Sequence, residues 1–209
     1  MDFIRPITLL GAHVALEPLQ PSHASELALA AADGELWKLW YTSVPRPDAM
    51  AAEIDRRLRL QQQGSMCPFA VRRNDTGALC GMTSFMNIDA THRHVEIGST
   101  WHAASAQRTG INTESKLLLL THAFETLACI AVEFRTNAMN LQSRAAIARL
   151  GAKQDGILRN HQRTADGLLR DTVVFSIIES EWPTVRRHLQ CKLARPVAAP
   201  ASQHAAPGP

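Results

Sequence analysis

Consecutive strand-like segments in the first half of the chain constrain the fold more than any other feature. Phe69 and Val71 alternate with other residues, a polar Asn-Asp-Thr-Gly turn occupies residues 74–77, and a longer apolar segment covers residues 79–88. A turn of this composition between two such segments is typical of an antiparallel hairpin. A third strand is predicted over residues 95–101. The sequence therefore predicts an antiparallel hairpin followed by a third strand.

Helices and further strands are predicted before and after this hairpin in the sequence. A strand is expected over residues 8–16, and Ser22 is expected to cap the helix that follows by accepting a hydrogen bond from a free backbone N–H. After Gly110, apolar residues recur at helical spacing. The remaining predicted elements are a helix over 48–62, a strand over 131–136, a helix over 141–150 that stops at Gly151, and strands over 153–159 and 172–178.

The length of 209 residues suits one domain, which we expect to cover residues 1–193. Residues 194–209 are rich in alanine and proline without an apolar period, so a disordered tail is expected there. The net charge of +3 is small and the basic residues are scattered, so no nucleic-acid partner is required. No apolar segment is long enough for a membrane span, and the first twenty residues lack the pattern of a secretion signal. We therefore expect a cytoplasmic protein.

Cysteines and histidines show no spacing typical of a metal or redox site. The four cysteines never form a CxxC pair, and the nine histidines are scattered. We expect free, mostly buried thiols and no bound metal.

A glycine-containing turn lies between the strand over 95–101 and the long helix. Residues 107–116 read Gln-Arg-Thr-Gly-Ile-Asn-Thr-Glu-Ser-Lys. A helix N-terminus presents unpaired N–H groups and a partial positive charge, so a pyrophosphate could bind at this turn. A plain strand-to-helix loop explains one glycine equally well, and the spacing fits neither GxxxxGK[ST] nor GxGxxG.

The turn resembles motif A of the GCN5-related N-acetyltransferases, Q/R-x-x-G-x-G/A. Gln107 and Gly110 match this motif, whereas Asn112 replaces its second small residue. The run over residues 108–120, followed by His-Ala-Phe-Glu at 122–125, is similar to the RimJ/RimL-type branch of this superfamily. Further similarities, in the order of the branch, lie at residues 96–98, Trp101, 140–144, 150–152 and 170–171.

The resemblance implies an α/β (α+β) fold with a mixed, mostly antiparallel sheet flanked by helices. The strands over 95–101 and 131–136 would be splayed apart, with acetyl-CoA, the co-substrate, between them. The implied activity is direct transfer of the acetyl group to a primary amine within a ternary complex. Dimers are common in the resembled family, so a homodimer is one possible assembly, although the sequence does not give the oligomeric state. The implied cofactor-binding residues are Ser99, Thr100, Trp101, Gln107, Arg108, Thr109, Gly110, Ile111, Asn112, Thr113, Asn140 and Ser143.

Catalysis requires an uncharged amine, a polarised thioester and a stabilised thiolate. Asp89 matches the position of an acidic residue in RimL-type enzymes and is the preferred base for an α-amine, although it could simply be a turn residue. Glu96 is the alternative base or a solvated strand residue. Ser143 could donate a hydrogen bond to the thiolate or could cap its helix. The only tyrosine is Tyr41, so the tyrosine acid found at the short helix in many relatives is absent here.

The acceptor and the rival functions stay open at this stage. Trp37, Trp40 and Tyr41 lie between the first two helices, where they could line an acceptor pocket or pack in the core. Peptide or protein N-termini and small-molecule amines all satisfy the chemistry. A non-catalytic domain that binds acyl-CoA and a phosphate-binding interaction module are the alternatives to an enzyme.

Overall fold

One sheet contains all eight strands of the computed structural model, which describes residues 3–164 and 166–195. The strand order in the sheet is β1-β2-β3-β4-β5-β6-β8-β7. The strands are β1 Leu9–Leu10, β2 Val14–Pro18, β3 Met66–Arg73, β4 Leu79–Asp89, β5 His94–His102, β6 Ala131–Asn137, β7 Lys153–Arg163 and β8 Leu169–Ile178. The helices are α1 Ala24–Ala32, α2 Met50–Gln62, α3 Ile111–Thr121, α4 Leu141–Leu150 and α5 Trp182–Leu193.

Strands β5 and β6 form the one parallel pair of this sheet, and all other neighbours are antiparallel. Their pairing is short, since it joins residues 94–96 of β5 to residues 131–133 of β6 and then stops. Beyond Glu96 the two strands have no ladder between them. This splay confirms the mixed, mostly antiparallel sheet expected from the sequence, and we call the space between residues 98–102 and 134–137 the cleft.

Helices cover both faces of the sheet. Thr83 and Ser84 are consecutive in β4, so their side chains point to opposite faces. Ser84 contacts Arg57 of α2, whereas Thr83 contacts Lys116 of α3. Helices α2 and α3 therefore lie on opposite faces. The apolar side chains between them are fully buried, among them Phe69, Phe85, Ile54, Leu119 and Phe134.

Glu114 fixes the first turn of α3 against the first hairpin of the sheet. Its carboxylate accepts hydrogen bonds from the backbone N–H groups of Ala12 at 2.9 Å, His13 at 2.6 Å and Val14 at 2.9 Å. These residues form the turn and the start of β2 in the first hairpin. A Cβ atom on Gly11 would lie 2.5 Å from Glu114 Cδ, so a larger residue here would have to displace the carboxylate from these hydrogen bonds.

Local predictions hold best in the middle of the chain. The β3–β4 hairpin, β5, β6 and α2 appear where expected, and α4 has the predicted bounds and ends at Gly151, whose φ is 104°. The predicted strand over 8–16 is wrong as one strand: Leu9 pairs with Leu16, so the segment is a hairpin.

The predictions for Ser22 and the C-terminal segment also differ from the structure. Ser22 does not cap α1 but lies inside a 3-10 turn, Pro21–His23, that precedes it. Helix α5 was not predicted, and it packs on α3 near residues 110–125, where Trp182 Nε1 donates to Glu125. The tail expected over 194–209 lies almost wholly outside the described residues. None of the described helices combines the length and apolar composition that crossing a membrane requires.

Candidate active site

A β-bulge interrupts β5 at the entrance to the cleft. Met82 is paired with Trp101 and Ser84 with Gly98, so the single residue Thr83 faces both Ser99 and Thr100. Ser99 has a φ of 48°, a left-handed conformation that is strained for a residue with a side chain. Bulges of this kind re-aim backbone groups beside functional sites. Because β6 has diverged here, the edge of β5 can pair with an extended ligand as an added strand would.

A buried amine lies beneath this bulge. Lys116 Nζ of α3 donates to Thr100 Oγ1 at 2.7 Å and to Thr83 Oγ1 at 3.2 Å. Burial lowers the pKa of Lys116 to about 7. Nearby, burial lowers the pKa of His102 to about 4, and its Nε2 contacts Asn112 Oδ1 at 3.3 Å. His102 is therefore uncharged at neutral pH, whereas Lys116 changes its charge close to it.

The turn after β5 presents backbone donors at the mouth of the cleft. Arg108 adopts a left-handed φ of 59°, whereas Gly110 has helical angles and precedes α3. Among the described residues, the N–H of Ile111 is paired with Thr109 Oγ1 and that of Glu114 with the Gly110 carbonyl. The other donors of this turn remain available to a ligand, and the helix N-terminus favours an anion.

A cavity of about 790 Å³ adjoins this turn. Four cationic side chains line it, together with Asp75, which is paired with one of them. The excess of positive charge suits phosphate groups. The cationic residues are Arg73, Arg108, Lys192 and Arg195.

The start of α4 borders the cleft from the β6 side. Asn140 is the N-cap of α4, because its Oδ1 accepts a hydrogen bond from the Ser143 N–H at 2.9 Å. Ser143 is thus the capped residue and not the cap, which leaves its hydroxyl free of that role. Gln142 Nε2 lies 3.4 Å from Gln107 Oε1, and Gln107 Nε2 donates to the His102 carbonyl at 3.1 Å. These contacts join α4, the turn and β5 around the mouth of the cleft.

Glu96 lies where β5 and β6 part. Its side chain is buried and accepts from Asn87 Nδ2 at 2.7 Å, and Arg135 Nε lies 3.6 Å away. Burial raises the pKa of Glu96 in spite of Arg135 and Asn87. A Cβ atom on Gly98 would lie 2.8 Å from Glu96 Oε1, so the carboxylate is directed along the strand toward the bulge.

Asp89 occupies a different environment, at the far end of the β4–β5 pair. It faces His94, and its carboxylate accepts from the His92 backbone at 2.9 Å and contacts His92 Nδ1 at 2.8 Å. These hydrogen bonds lower the pKa of Asp89, whose side chain is 45% exposed. The two carboxylates therefore have different hydrogen-bond partners and opposite pKa shifts.

The aromatic residues between α1 and α2 directly precede, in the chain, three residues that line a second cavity. Trp40 is 61% exposed and contacts Tyr41 edge to face at 5.7 Å, and Trp37 is half-buried. None of these three aromatic residues is among the lining residues of this cavity, which has a volume of about 390 Å³. The lining residues are Ser43, Val44, Pro45, Glu53, Arg56, Arg57 and Ser99. Since Ser99 belongs to the bulge, this cavity reaches the cleft from the side of α2.

The cysteines are unpaired. Cys67, Cys80 and Cys129 are buried as predicted, and burial raises their pKa values to about 12, 11 and 11. Cys191 is exposed. Among the described residues, no three His, Cys, Asp or Glu side chains converge as a metal ion would require.

A family model and one related sequence place these features in context. A family model for an acetyltransferase (GNAT) domain matches residues 13–153. Bacillus subtilis YdaF, whose name assigns it ribosomal N-acetyltransferase activity, is 36% identical over 106 residues, which cover 51% of this chain and 57% of YdaF. The chain thus spans little more than half the length of that relative.

Solved structures give the same likeness over nearly the whole chain. A GCN5-related N-acetyltransferase from Brucella melitensis has a TM-score of 0.82 and 28% identity, over 91% of this chain and 87% of its own. Mycobacterium smegmatis RimJ in complex with CoA-disulfide has a TM-score of 0.76 over 90% of this chain and 95% of its own, and at 21% identity it shows the fold alone.

Proposed function

The chain belongs to the GNAT acetyltransferase family, and from that premise we propose that it transfers the acetyl group of acetyl-CoA to a primary amine. The observation that carries the proposal is the cleft itself, with the bulge at Ser99 on one side and the donor-rich turn before α3 at its mouth. A binding module for anions would need the turn but neither the splayed strands nor the bulge.

The described residues fit acetyl-CoA along the length of the cleft. The free edge of β5 at Ser99, Thr100 and Trp101 offers backbone partners to the pantetheine amides. The pyrophosphate suits the N–H groups of the turn over 108–113, and the adjoining basic cavity suits the remaining phosphate. Gln107, Asn112 and Asn140 already bond to protein groups through their side chains, so their proposed part is to shape the site.

Glu96 is the base that the environments favour. The amine nitrogen attacks the carbonyl carbon, the new N–C bond replaces the C–S bond, CoA leaves as a thiolate, and the amine proton passes to the Glu96 carboxylate directly or through water. A carboxylate with a raised pKa that is directed toward the bulge suits this role. Asp89, exposed and already bonded to His92, is a weaker base and is proposed only as the alternative.

Ser143 is proposed to donate a hydrogen bond to the departing thiolate. Its hydroxyl is released from capping by Asn140 and lies at the first turn of α4. A thiol of this kind has a pKa near about 8–9, so a hydrogen bond can suffice without a full proton donor.

We propose α-amines of peptides, protein N-termini or small amino compounds as acceptors. At pH 7 roughly a tenth of an α-amine is uncharged, whereas fewer than about one lysine-type amine in a thousand is. A single carboxylate is therefore a sufficient base for an α-amine acceptor. Trp37, Trp40 and Tyr41 are proposed to contact the acceptor outside the cavity beside Ser99, because they directly precede its lining residues 43–45 in the chain. Unpaired cysteines suit a reducing compartment, so the cytoplasm remains the proposed location, and a homodimer the proposed assembly.

A panel of amines tests this function. The purified protein is mixed with acetyl-CoA and each amine, and thiol release is followed together with the mass of the amine product. The proposal expects thiol release that depends on the amine and an acetylated product with at least one α-amine. Binding of CoA with no product from any amine would favour the non-catalytic acyl-CoA-binding domain.

A further inference from the structure

Arg57 is a buried cation on the α2 face of the bulge. It is 2% exposed, and its Nε donates to Glu53 Oε1 at 2.7 Å. Its Nη1 donates to the Ser99 carbonyl at 3.1 Å and to Ser84 Oγ at 3.2 Å. Glu53 is shared with Arg56, which forms two hydrogen bonds to the same carboxylate. Burial of a guanidinium is costly even when it is paired, and an apolar side chain at this position would avoid that cost.

The partners of Arg57 lie on both strands that form the bulge. Ser84 pairs with Gly98 in the β4–β5 ladder, and Ser99 is the residue with the left-handed backbone. A strained backbone persists only where its surroundings hold it. The hydrogen bond from Arg57 fixes the direction of the Ser99 carbonyl and therefore the orientation of the peptide unit that joins Ser99 to Thr100.

The same side chain also borders the second cavity. Glu53, Arg56, Arg57 and Ser99 all line it, facing residues 43–45 of the segment between α1 and α2. A molecule in this cavity would thus contact the ion pair that holds the bulge. The cavity and the strained peptide unit are connected through one guanidinium group.

We propose that Arg57 is a positioning residue for acetyl transfer: it holds the Ser99–Thr100 peptide unit in the orientation the reaction needs and, with Glu53, connects that unit to the second cavity. This inference rests on the proposed acetyltransferase function. It assigns Arg57 no contact with the reacting atoms, and the Ser99–Thr100 unit is only one of several proposed contacts to the cofactor, so removal of Arg57 should lower turnover by more than it weakens cofactor binding.

Arg57→Met and the conservative Arg57→Lys test the inference, with Arg59→Met, on an exposed position of the same helix, as the control. Each protein is tested for thermal unfolding, CoA affinity by calorimetry, kcat and KM, and hydrogen exchange of the segment over 97–102. The hydrogen-exchange measurement needs no enzymatic activity. It therefore decides whether Arg57 holds the Ser99–Thr100 peptide unit even if the parent protein acetylates none of the amines.

We expect Arg57→Met to lower kcat about 10- to 100-fold, the loss typical of a misplaced reacting geometry, while the CoA dissociation constant rises by a clearly smaller factor. The rate of backbone hydrogen exchange over residues 97–102 should rise about tenfold in Arg57→Met. The control Arg59→Met should change neither kcat nor this exchange rate. If Arg57→Met fails to fold, Arg57→Lys decides, because lysine can pair with Glu53 but cannot reproduce the planar fork that also reaches Ser99. Unchanged exchange and kcat in the folded variant, or a loss of CoA affinity that parallels the loss of kcat, would overturn the inference.

Discussion

The ammonium nitrogen of Lys116 lies 2.7 Å from the hydroxyl oxygen of Thr100, directly behind the bulge of β5. Lys116 is buried, and its partners are hydroxyl groups instead of a carboxylate. Since hydroxyls carry no charge to balance the ammonium group, burial lowers the pKa of Lys116 to about 7. The bulge therefore rests on an amine that changes its charge close to neutral pH.

Replacing Lys116 by Met should change how stability depends on pH. The folded pKa of about 7 lies below the unfolded value near about 10.4, so the unfolded chain binds more protons between these limits. The free energy of unfolding of the parent should therefore rise with pH across this window, by about 2 kcal/mol from pH 7 to pH 9 relative to Lys116→Met. Urea denaturation of both proteins at the two pH values measures it. A difference independent of pH would mean that Lys116 keeps its proton when buried.

Gly110→Pro should weaken CoA binding strongly without distorting the turn. Gly110 has a φ of −68°, which proline also adopts, so the substitution mainly removes one N–H at the proposed pyrophosphate site. We expect the dissociation constant to rise more than about tenfold, the effect of losing one charge-assisted hydrogen bond. Gly110→Ala is the control, because its Cβ would come no closer than 3.4 Å to His13 and 3.6 Å to Leu193 and the substitution keeps the N–H. Calorimetry that gives equal affinities for both variants would place the pyrophosphate elsewhere.

Ser143→Ala should lower kcat more than it lowers acetyl-CoA affinity. Its hydrogen bond to sulfur would strengthen as negative charge develops, and the expected loss is about 10- to 100-fold. Because Asn140 supplies the cap, the stability of Ser143→Ala should stay within about 0.5 kcal/mol of the parent. Steady-state kinetics and denaturation provide both values. Normal turnover would remove Ser143 from the mechanism.

The pH–rate profiles of Glu96→Gln and Asp89→Asn should separate the two candidate bases. A base acts when deprotonated, so a raised pKa in Glu96 predicts a rate that climbs with pH as this carboxyl loses its proton. Glu96→Gln should lose this rise and Asp89→Asn should keep it. The acceptors are an α-amine peptide and a lysine analogue with a blocked α-amine. If only Asp89→Asn flattens the profile, Asp89 is the base, and if the lysine analogue reacts faster, the preference for α-amines is wrong.

Local signals made part of this molecule predictable. Asn140 and Gly151 bound α4 through a side-chain cap and a left-handed residue, and both are visible in the sequence. The turn over 74–77 likewise identified the β3–β4 hairpin. In contrast, α5 was missed although Trp182, Val185 and Leu189 are spaced along one helical face, because several basic residues separate them.

The charged residues around the bulge could not have been found in the same way. Arg57 and Lys116 contact residues 42 and 16 positions away in the chain, and the sequence alone gives no reason to bury either of them. Hydropathy assigns both to solvent. Their roles follow only from the packing of α2 and α3 on opposite faces of the sheet, which is a property of the tertiary structure.

The contact between Glu114 and the first hairpin has a consequence for biosynthesis. Val14 and Glu114 are separated by 100 residues, so on the order of 5–20 s of translation pass between them. During that interval the N–H groups of Ala12, His13 and Val14 depend on water, since the carboxylate that accepts them has not yet been made. The nascent hairpin gains its full set of partners only when α3 emerges. The amino-terminal edge of the sheet and the turn that would receive the nucleotide are thus completed in the same late event on the ribosome.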